Sequence, residues 1–291
     1  MYDFGYKGKV AVVTGSASGM GKAVTEELVK EGAKVYAMDL REIEVEGIEK
    51  AIHIDLSDRA SIDKAFSEVP QYIDSLFLIA GVSAYSLPGI TSFRVNFLSH
   101  KYICEKLVPE RMERDGKICI VTSSSATEWL KDENLKWSMD AVKADDWDSA
   151  EAEIEKLDIL QLPCNIVYPL AKMMLNVEVA RLQGILASKG IHVNLVSPGF
   201  TQTNIGREDG TASEEVVAAQ MAYVGYAGRP AEAIEMAYPI LFLNSDLASY
   251  ISGAVIDVDF GCTLEVYGKM RPNVIGPNLD SYFAYFKTLK F

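Results

Sequence analysis

Val10-Ala11-Val12-Val13-Thr14-Gly15-Ser16-Ala17-Ser18-Gly19-Met20-Gly21 is the stretch from which the rest of the chain can be read. Its apolar start, Val10 to Val13, is too short for periodicity alone to separate a buried parallel strand from a helix. The glycines decide for the strand. Spaced G-x-x-x-G-x-G, they permit a sharp turn and let backbone N–H groups approach a diphosphate. A following helix, over about Lys22 to Glu31, then turns its positive N-terminal end toward that charge. A β–α turn without a ligand has the same local pattern, and two later features favour the nucleotide. Ala33 to Met38 reads as a second strand, and Asp39 stands at its end, 18 residues after Gly21. A carboxylate there accepts hydrogen bonds from ribose hydroxyls and repels a 2′-phosphate, which predicts NAD over NADP. Arg41, two residues on, is the side chain that can accommodate such a phosphate.

Composition bounds the rest. The 291 residues are 49% hydrophobic and hold no long Pro/Gly/Ser linker, repeat or low-complexity tract, so one α/β domain over 1–291 is expected. The first strand begins by about Lys9, which leaves no room for an apolar leader. No run approaches the ~18 apolar residues of a membrane span. Cys104, Cys119, Cys164 and Cys262 are far apart and show no C-x-x-C spacing, the pattern of reduced thiols in a cytoplasmic protein. His53, His100 and His192 have no metal-ligand spacing, so no metal is expected. A net charge of −13 argues against nucleic acid or an anionic membrane as partner.

Further strands are read at Ala51 to Asp55, Asp74 to Ile79, Gly116 to Thr122, Ile191 to Val196 and Ala254 to Val258. Helices are read at Arg59 to Val69, Phe93 to Met112, Val167 to Ser188, 213 to 224 and 231 to 243. The alternation makes a doubly wound, mainly parallel sheet with helices on both faces. Asp55 either caps the next helix or sits beside an adenine. Ala80-Gly81 is either a plain turn or a close approach of backbone to a ribose. Asn96 falls in the first turn of its helix, where a cap is one reading. Ser123-Ser124-Ser125 ends a strand where such sheets bind ligands, and a hydroxyl there can polarise a carbonyl.

Residues 127–161 form an acidic helical insertion, with 11 acidic and 4 basic residues and all three tryptophans, Trp129, Trp137 and Trp147. The tryptophans either pack the insertion down, the favoured reading, or line an apolar cleft. Pro169 is read as a first-turn residue, which starts its helix near Tyr168. Tyr168 and Lys172, at i and i+4, share a helix face. The tail 262–291 is rich in Tyr and Phe, suited to capping a cleft or an interface.

Taken in order, Thr14-Gly15-x-x-x-Gly19-x-Gly21, Asp39, Asp55, Ala80-Gly81, Asn96, Ser124, Tyr168-x-x-x-Lys172 and Pro198-Gly199-x-x-x-Thr203 resemble the short-chain dehydrogenase/reductases over about residues 8 to 261. Tyr102-x-x-x-Lys106 has the same spacing as Tyr168-x-x-x-Lys172, on a helix that precedes the serine strand. A short interval from Gly81 to Asn96 and a long one before Tyr168 are similar to the bacterial 3α-hydroxysteroid dehydrogenase/carbonyl reductase branch. So are Asp39-Leu40-Arg41, Gly228-Arg229-Pro230, Ala248-Ser249-Tyr250-Ile251-Ser252-Gly253 and Met270-Arg271-Pro272. Ile79 departs from the Asn usual before Ala-Gly, Ala171 from the Ser usual before the lysine, and Asp259-Phe260-Gly261 from Asp-Gly-Gly.

The resemblance implies a Rossmann fold and hydride transfer between NAD and a secondary alcohol or ketone, most closely a hydroxysteroid or bile acid. It implies catalysis by Asn96, Ser124, Tyr168 and Lys172, with Ser124 taken over Ser123 in a run that permits a slip of one. Ser124 and Tyr168 would hold the substrate oxygen, and Asn96 a water linking Lys172 to solvent. Cofactor contacts would come from Gly15, Ser18, Gly19, Met20, Gly21, Asp39, Leu40, Asp55, Leu56, Ala80, Gly81, Tyr168, Lys172, Pro198, Gly199, Thr201 and Thr203. The expected partner is a small apolar alcohol or ketone, and the expected assembly a homo-oligomer, dimer or tetramer. Alternatives are the same chemistry on a terpenoid, sugar alcohol, xenobiotic carbonyl or acyl thioester, and, more remotely, a catalytically silent nucleotide-binding regulator.

Overall fold

The computed structural model describes residues 3–82, 87–157, 159–162, 164–202, 224 and 227–270. Among them are strands β1 (Val10–Thr14), β2 (Lys34–Asp39), β3 (Lys50–His53), β4 (Ser75–Leu78), β5 (Lys117–Val121), β6 (His192–Pro198) and β7 (Val255–Val258). They pair in parallel in the order β3-β2-β1-β4-β5-β6-β7. The helices are α1 (Gly19–Lys30), α2 (Arg59–Ser67), α3 (a continuous helical run, 89–107), α4 (Asp132–Lys143), α5 (Trp147–Glu155), α6 (Cys164–Leu186), α7 (Ala233–Leu243) and α8 (Cys262–Tyr267). None is long and apolar enough to cross a membrane.

The strands are apolar on both sides because helices cover both faces. Ala11, Val13, Val35, Ala37, Phe77 and Cys119 pack with Val24 and Leu28 of α1 and Ile240 and Leu241 of α7. The alternate residues Val12, Met38, Leu76, Leu78, Ile118 and Ile120 pack with Ile62 and Phe66 of α2, Phe93 and Phe97 of α3, and Leu170 and Met174 of α6. The sheet is therefore the doubly wound one expected. Its order reverses at β1, so the connections after β1 and β4 leave in opposite directions and open a crevice at their carboxyl ends.

Three helix starts differ from the sequence reading by three residues or more. Helix α1 starts at Gly19, not Lys22, so the glycines themselves make its first turn. Helix α3 starts at Gly89, because Pro88, with φ −55°, is already set for a helix start. Asn96 is thus no cap; it lies inside the run, in the π turn Arg94–Leu98. Helix α6 starts at Cys164, which places Pro169 within it and not in its first turn. The ring removes one i→i−4 hydrogen bond near the helix start, and burial of Val167, Leu170, Ala171, Met173, Met174 and Leu175 outweighs that loss.

The insertion is two helices, α4 and α5, laid over α3 and α6. Asp146 caps α5 in a capping box with Ser149. Arg94 of α3 grips Glu151 of α5 through Nε at 3.1 and 3.2 Å and through Nη2. Trp147 meets Tyr102 edge to face at 6.2 Å and donates its indole N–H to Glu151 at 2.9 Å. It is buried, and Trp129 and Trp137 pack against the same core, so the tryptophans pin the insertion down. The helix read at 213–224 and the tail beyond 270, with Arg271 and Pro272, lie outside the described residues apart from Val224.

Candidate active site

The crevice contains a cavity of about 240 Å³. Its wall includes Gly15, Ser18, Gly19, Met20, Gly21, Asp39, Leu40, Asp55, Leu56, Ala80 and Gly81, eleven of the residues expected at a cofactor. Three of the four glycines here have a steric reason. Gly15 has φ +82°, and a Cβ on it would lie 3.0 Å from the backbone of Ala80. A Cβ on Gly21 would lie 2.1 Å from the Gly15 carbonyl oxygen, so the turn closes only around a hydrogen. On Gly81 it would meet Asn96 Oδ1 at 2.9 Å and Lys172 Nζ at 3.5 Å. The floor is a backbone cradle open to a flat, anionic ligand, as a dinucleotide requires.

Thr14 joins the two strands beneath that floor, its hydroxyl accepting from Ile79 N at 3.1 Å and Ala80 N at 3.3 Å. These bonds secure the β4 turn although Ile79 brings no polar group of its own. At the far end Asp39, buried, accepts from Ala17 N at 3.0 Å and Arg41 N at 2.9 Å. The Arg41 side chain folds back over it, with Nη2 2.6 Å from Ser18 Oγ and Nε 3.7 Å from Asp39 Oδ1. Asp55 does not cap α2; Asp58 does, accepting from Ala60 N at 3.0 Å. Asp55 holds Ser57 in a turn and lines the cavity.

One strand further along the edge stand Tyr168 and Lys172. Lys172 is buried, donates to the Val121 carbonyl at 2.9 Å and lies 5.9 Å from the centre of the Tyr168 ring. Burial pushes its ammonium down to about 7. Burial raises the Tyr168 phenol, and a hydrogen bond to Ser123 pulls the other way. The hydroxyl that meets Tyr168 is therefore that of Ser123, one residue before the expected Ser124. Ser124 is buried, and its carbonyl accepts from Thr127 N at 3.2 Å and from the Thr127 hydroxyl. Ser123 caps the 3-10 turn Ser124–Ala126, its hydroxyl oxygen accepting from Ser125 N at 3.2 Å and from the Ser125 hydroxyl at 2.9 Å.

Asn96 is buried under Gly81. Its Oδ1 accepts from Val82 N at 3.2 Å, and its Nδ2 donates to Val82 O at 2.9 Å and Ser92 Oγ at 3.2 Å. It braces the chain just past the cavity floor. Pro198 ends β6, Gly199 N donates to Val258 O at 3.0 Å, and Thr201 closes on the Gly199 carbonyl at 3.1 Å. These three lie outside the cavity wall, and Thr203 lies outside the described residues. Tyr102, of the second Tyr-x-x-x-Lys, bonds Asp63 at 2.6 Å on the far side of α3, and Lys106 is exposed. Sequence reasoning missed Ile54, Ile79, Val82 and Val95 in the cavity wall, because an apolar wall residue has no motif. Arg41 had a signal, its position two residues after Asp39.

Residues 9–132 match the family model described as short chain dehydrogenase, and residues 159–263 the one described as enoyl-(acyl carrier protein) reductase. The gap between the matches holds nearly all of α4 and the whole of α5. The chain is 27% identical over 270 residues to a 3-alpha-hydroxysteroid dehydrogenase/carbonyl reductase of Comamonas testosteroni, covering 90% of this chain and 98% of that protein. It is 30% identical over 255 residues to a coniferyl-alcohol dehydrogenase of Pseudomonas sp. strain HR199, covering 87% and 96%. Among solved structures, the 3-alpha-hydroxysteroid dehydrogenase of Pseudomonas sp. B-0831 complexed with NADH superposes with a TM-score of 0.75 at 25% identity, covering 90% and 99%.

Proposed function

Since this chain belongs to the short-chain dehydrogenase/reductase family of oxidoreductases, we propose that it interconverts a secondary alcohol and a ketone with NAD, and that its substrate class is a hydroxysteroid, bile acids included. The observation that carries this reading is the pair Tyr168 and Lys172 on one face of α6, beside Ser123 and next to the cavity that ends at Asp39. When bound, NAD supplies the hydride acceptor; the chain supplies position and proton transfer.

Tyr168 takes the hydroxyl proton in alcohol oxidation and returns it in ketone reduction. A phenol ionises near pH 10 and burial raises this one further, so it needs a neighbouring positive charge to act near neutrality. Lys172, one turn on, provides that charge and also a grip on the ribose. Ser123, rather than Ser124, hydrogen-bonds the substrate oxygen and stabilises the charge that develops there. Oxidation needs ionised Tyr168, so its rate is expected to rise with pH while reduction falls. Ser123→Ala is expected to lower kcat about 100-fold, within the usual range for one such donor, and Ser124→Ala to leave it within about threefold. Equal losses would return the role to Ser124.

Asp39 supports NAD over NADP. Asp39→Ala is expected to weaken NAD binding about 10- to 100-fold, the loss of charge-assisted hydrogen bonds. It also frees the adjacent Arg41 to meet a 2′-phosphate, so titration with NADP should tighten. Unchanged preference would place the discrimination elsewhere.

NADH formation by the purified protein with NAD and a panel of hydroxysteroids, with NADP in parallel, tests the reading. Turnover on one regioisomer supports it. A second reading, a phenylpropanoid or other non-steroid alcohol, is favoured by the 30% identity to the coniferyl-alcohol enzyme, and turnover on those alcohols alone would select it. Binding of NAD without turnover on any alcohol would leave the silent regulator. We further propose a homo-oligomer that uses a face other than α3 and α6, which the insertion overlies.

A further inference from the structure

His100 is the buried polar group for which the chemistry so far has no use. It sits on α3, four residues after Asn96 and so on the same helix face, and is 1% exposed. Its Nδ1 lies 3.1 Å from Ser99 Oγ. The Ser99 hydroxyl already donates to the Val95 carbonyl at 2.8 Å, so Nδ1 carries the ring proton and Nε2 is a bare lone pair. Nε2 has no hydrogen-bond partner among the described residues. A buried acceptor without a donor is costly and rare, and an enclosed water is the usual remedy.

Lys172 has the matching surplus. Of its three N–H donors, one reaches Val121 O at 2.9 Å, the single acceptor it meets among the described residues. Asn96, one turn before His100 on α3, and Lys172 come together at Gly81, where an added Cβ would lie 2.9 Å from Asn96 Oδ1 and 3.5 Å from Lys172 Nζ. Both amide N–H groups of Asn96 are committed to Val82 and Ser92. Burial first, and then the Lys172 charge, hold the His100 imidazole down at about 3, so the ring is neutral and can only accept at Nε2. Of the other titratable groups on these elements, Tyr168 lies one turn before Lys172. Lys101 and Glu105 of α3 and Glu178 and Arg181 of α6 form a separate ion cluster, with Lys101 3.8 Å from Glu178, and Lys172 is the charge that acts on His100.

We propose that His100 is a positioning residue for Lys172: its Nε2 lone pair accepts a hydrogen bond relayed from the Lys172 ammonium through one enclosed water. This inference rests on the dehydrogenase reading for its catalytic consequence, though not for the contact itself. The neutral imidazole favours the charged form of a lysine that burial otherwise discharges, and keeps that charge aimed at Tyr168. Losing the acceptor lowers the ammonium population, so Tyr168 ionises less readily and oxidation needs a higher pH.

The protein with ¹⁵N-labelled histidine tests the contact without cofactor. With three histidines in the chain, the His100→Gln spectrum assigns the ring signals. Nε2 of His100 is expected to stay unprotonated from pH 5 to 9 and to shift in one step as Lys172 titrates, and Lys172→Met is expected to remove the step. A step that persists in Lys172→Met overturns the proposal, as does the absence of any step. In turnover, His100→Leu is expected to lower kcat about tenfold at pH 7 and to move the rise of kcat/KM for oxidation up by about one pH unit. KM for the alcohol should stay within threefold. His100→Gln, which keeps an acceptor near the Nε2 position, should restore both. Equal behaviour of the leucine and glutamine variants overturns the proposal. If the leucine variant does not fold, the labelled spectra of wild type and Lys172→Met decide. A wild type with the Lys172-dependent step but no turnover on any alcohol would sink the dehydrogenase reading and leave the contact standing.

Discussion

Tyr168→Phe is expected to lower kcat by about 10³-fold, within the span of general acid–base catalysis and equivalent to about 4 kcal/mol of barrier. The substitution removes one oxygen. The ring that Lys172 overlies at 5.9 Å remains, and so do the neighbouring side chains of α6. NAD binding should therefore stay within about threefold of wild type, read by the quenching of tryptophan fluorescence or by calorimetry. The separation of the two readouts carries the test. Loss of both would mean that the phenol holds the site together, and turnover that survives would move the proton chemistry to another group. The pH profile adds a second check. The residual activity of the variant should lose the rise with pH that wild-type oxidation shows, because the ionising phenol is gone.

Gly21→Ala is expected to be the most damaging change of a single atom in the cofactor cavity. The added Cβ would sit 2.1 Å from the Gly15 carbonyl oxygen and 3.2 Å from that of Thr14, both backbone atoms with no rotamer to yield. Either α1 shifts away from β1 or the turn from Gly15 to Gly19 opens. Forced overpacking of this kind costs about 3 kcal/mol or more, visible as a fall of several degrees in Tm. NAD affinity should fall by more than 100-fold, because the N–H groups that cradle a diphosphate would no longer converge. Gly184→Ala, in α6 with nothing within 4 Å of the new atom, is the control: NAD affinity should stay unchanged and Tm should hold or rise slightly, as for any glycine replaced by alanine in an open helix position. Binding preserved in Gly21→Ala would show that the diphosphate lies elsewhere than on this turn.

Both variants touch features that were legible before any coordinates, and the reason is that each is specified by short-range geometry. A turn that needs φ above zero and a backbone carbonyl within reach of a Cα can be built only from glycines at set spacings, so Gly15, Gly19 and Gly21 announce it. A tyrosine and a lysine at i and i+4 share a helix face whatever surrounds them. Asp39 follows from the length of one β–α unit. Strands buried on both faces are written as unbroken apolar runs, and their alternation with helices sets the parallel sheet and its switch point.

The tertiary structure decided what local rules leave degenerate. Three consecutive serines have no phase in the sequence; only the arrival of α6 beside β5 sets the Ser123 hydroxyl against the Tyr168 phenol, while the Ser124 carbonyl accepts from Thr127. Two Tyr-x-x-x-Lys pairs are locally identical, and the partner across space separates them, Asp63 for Tyr102 and Ser123 for Tyr168. Pro169 belongs to a first turn by propensity, yet burial of the residues around it extends α6 to Cys164. Arg41 against Ser18, Asn96 under Gly81 and the bare Nε2 of His100 are contacts between different elements or consequences of burial. Propensity and spacing act over one turn or one strand, whereas desolvation and side-chain pairing depend on which distant segment covers a residue, and that is set only when the whole sheet is wound.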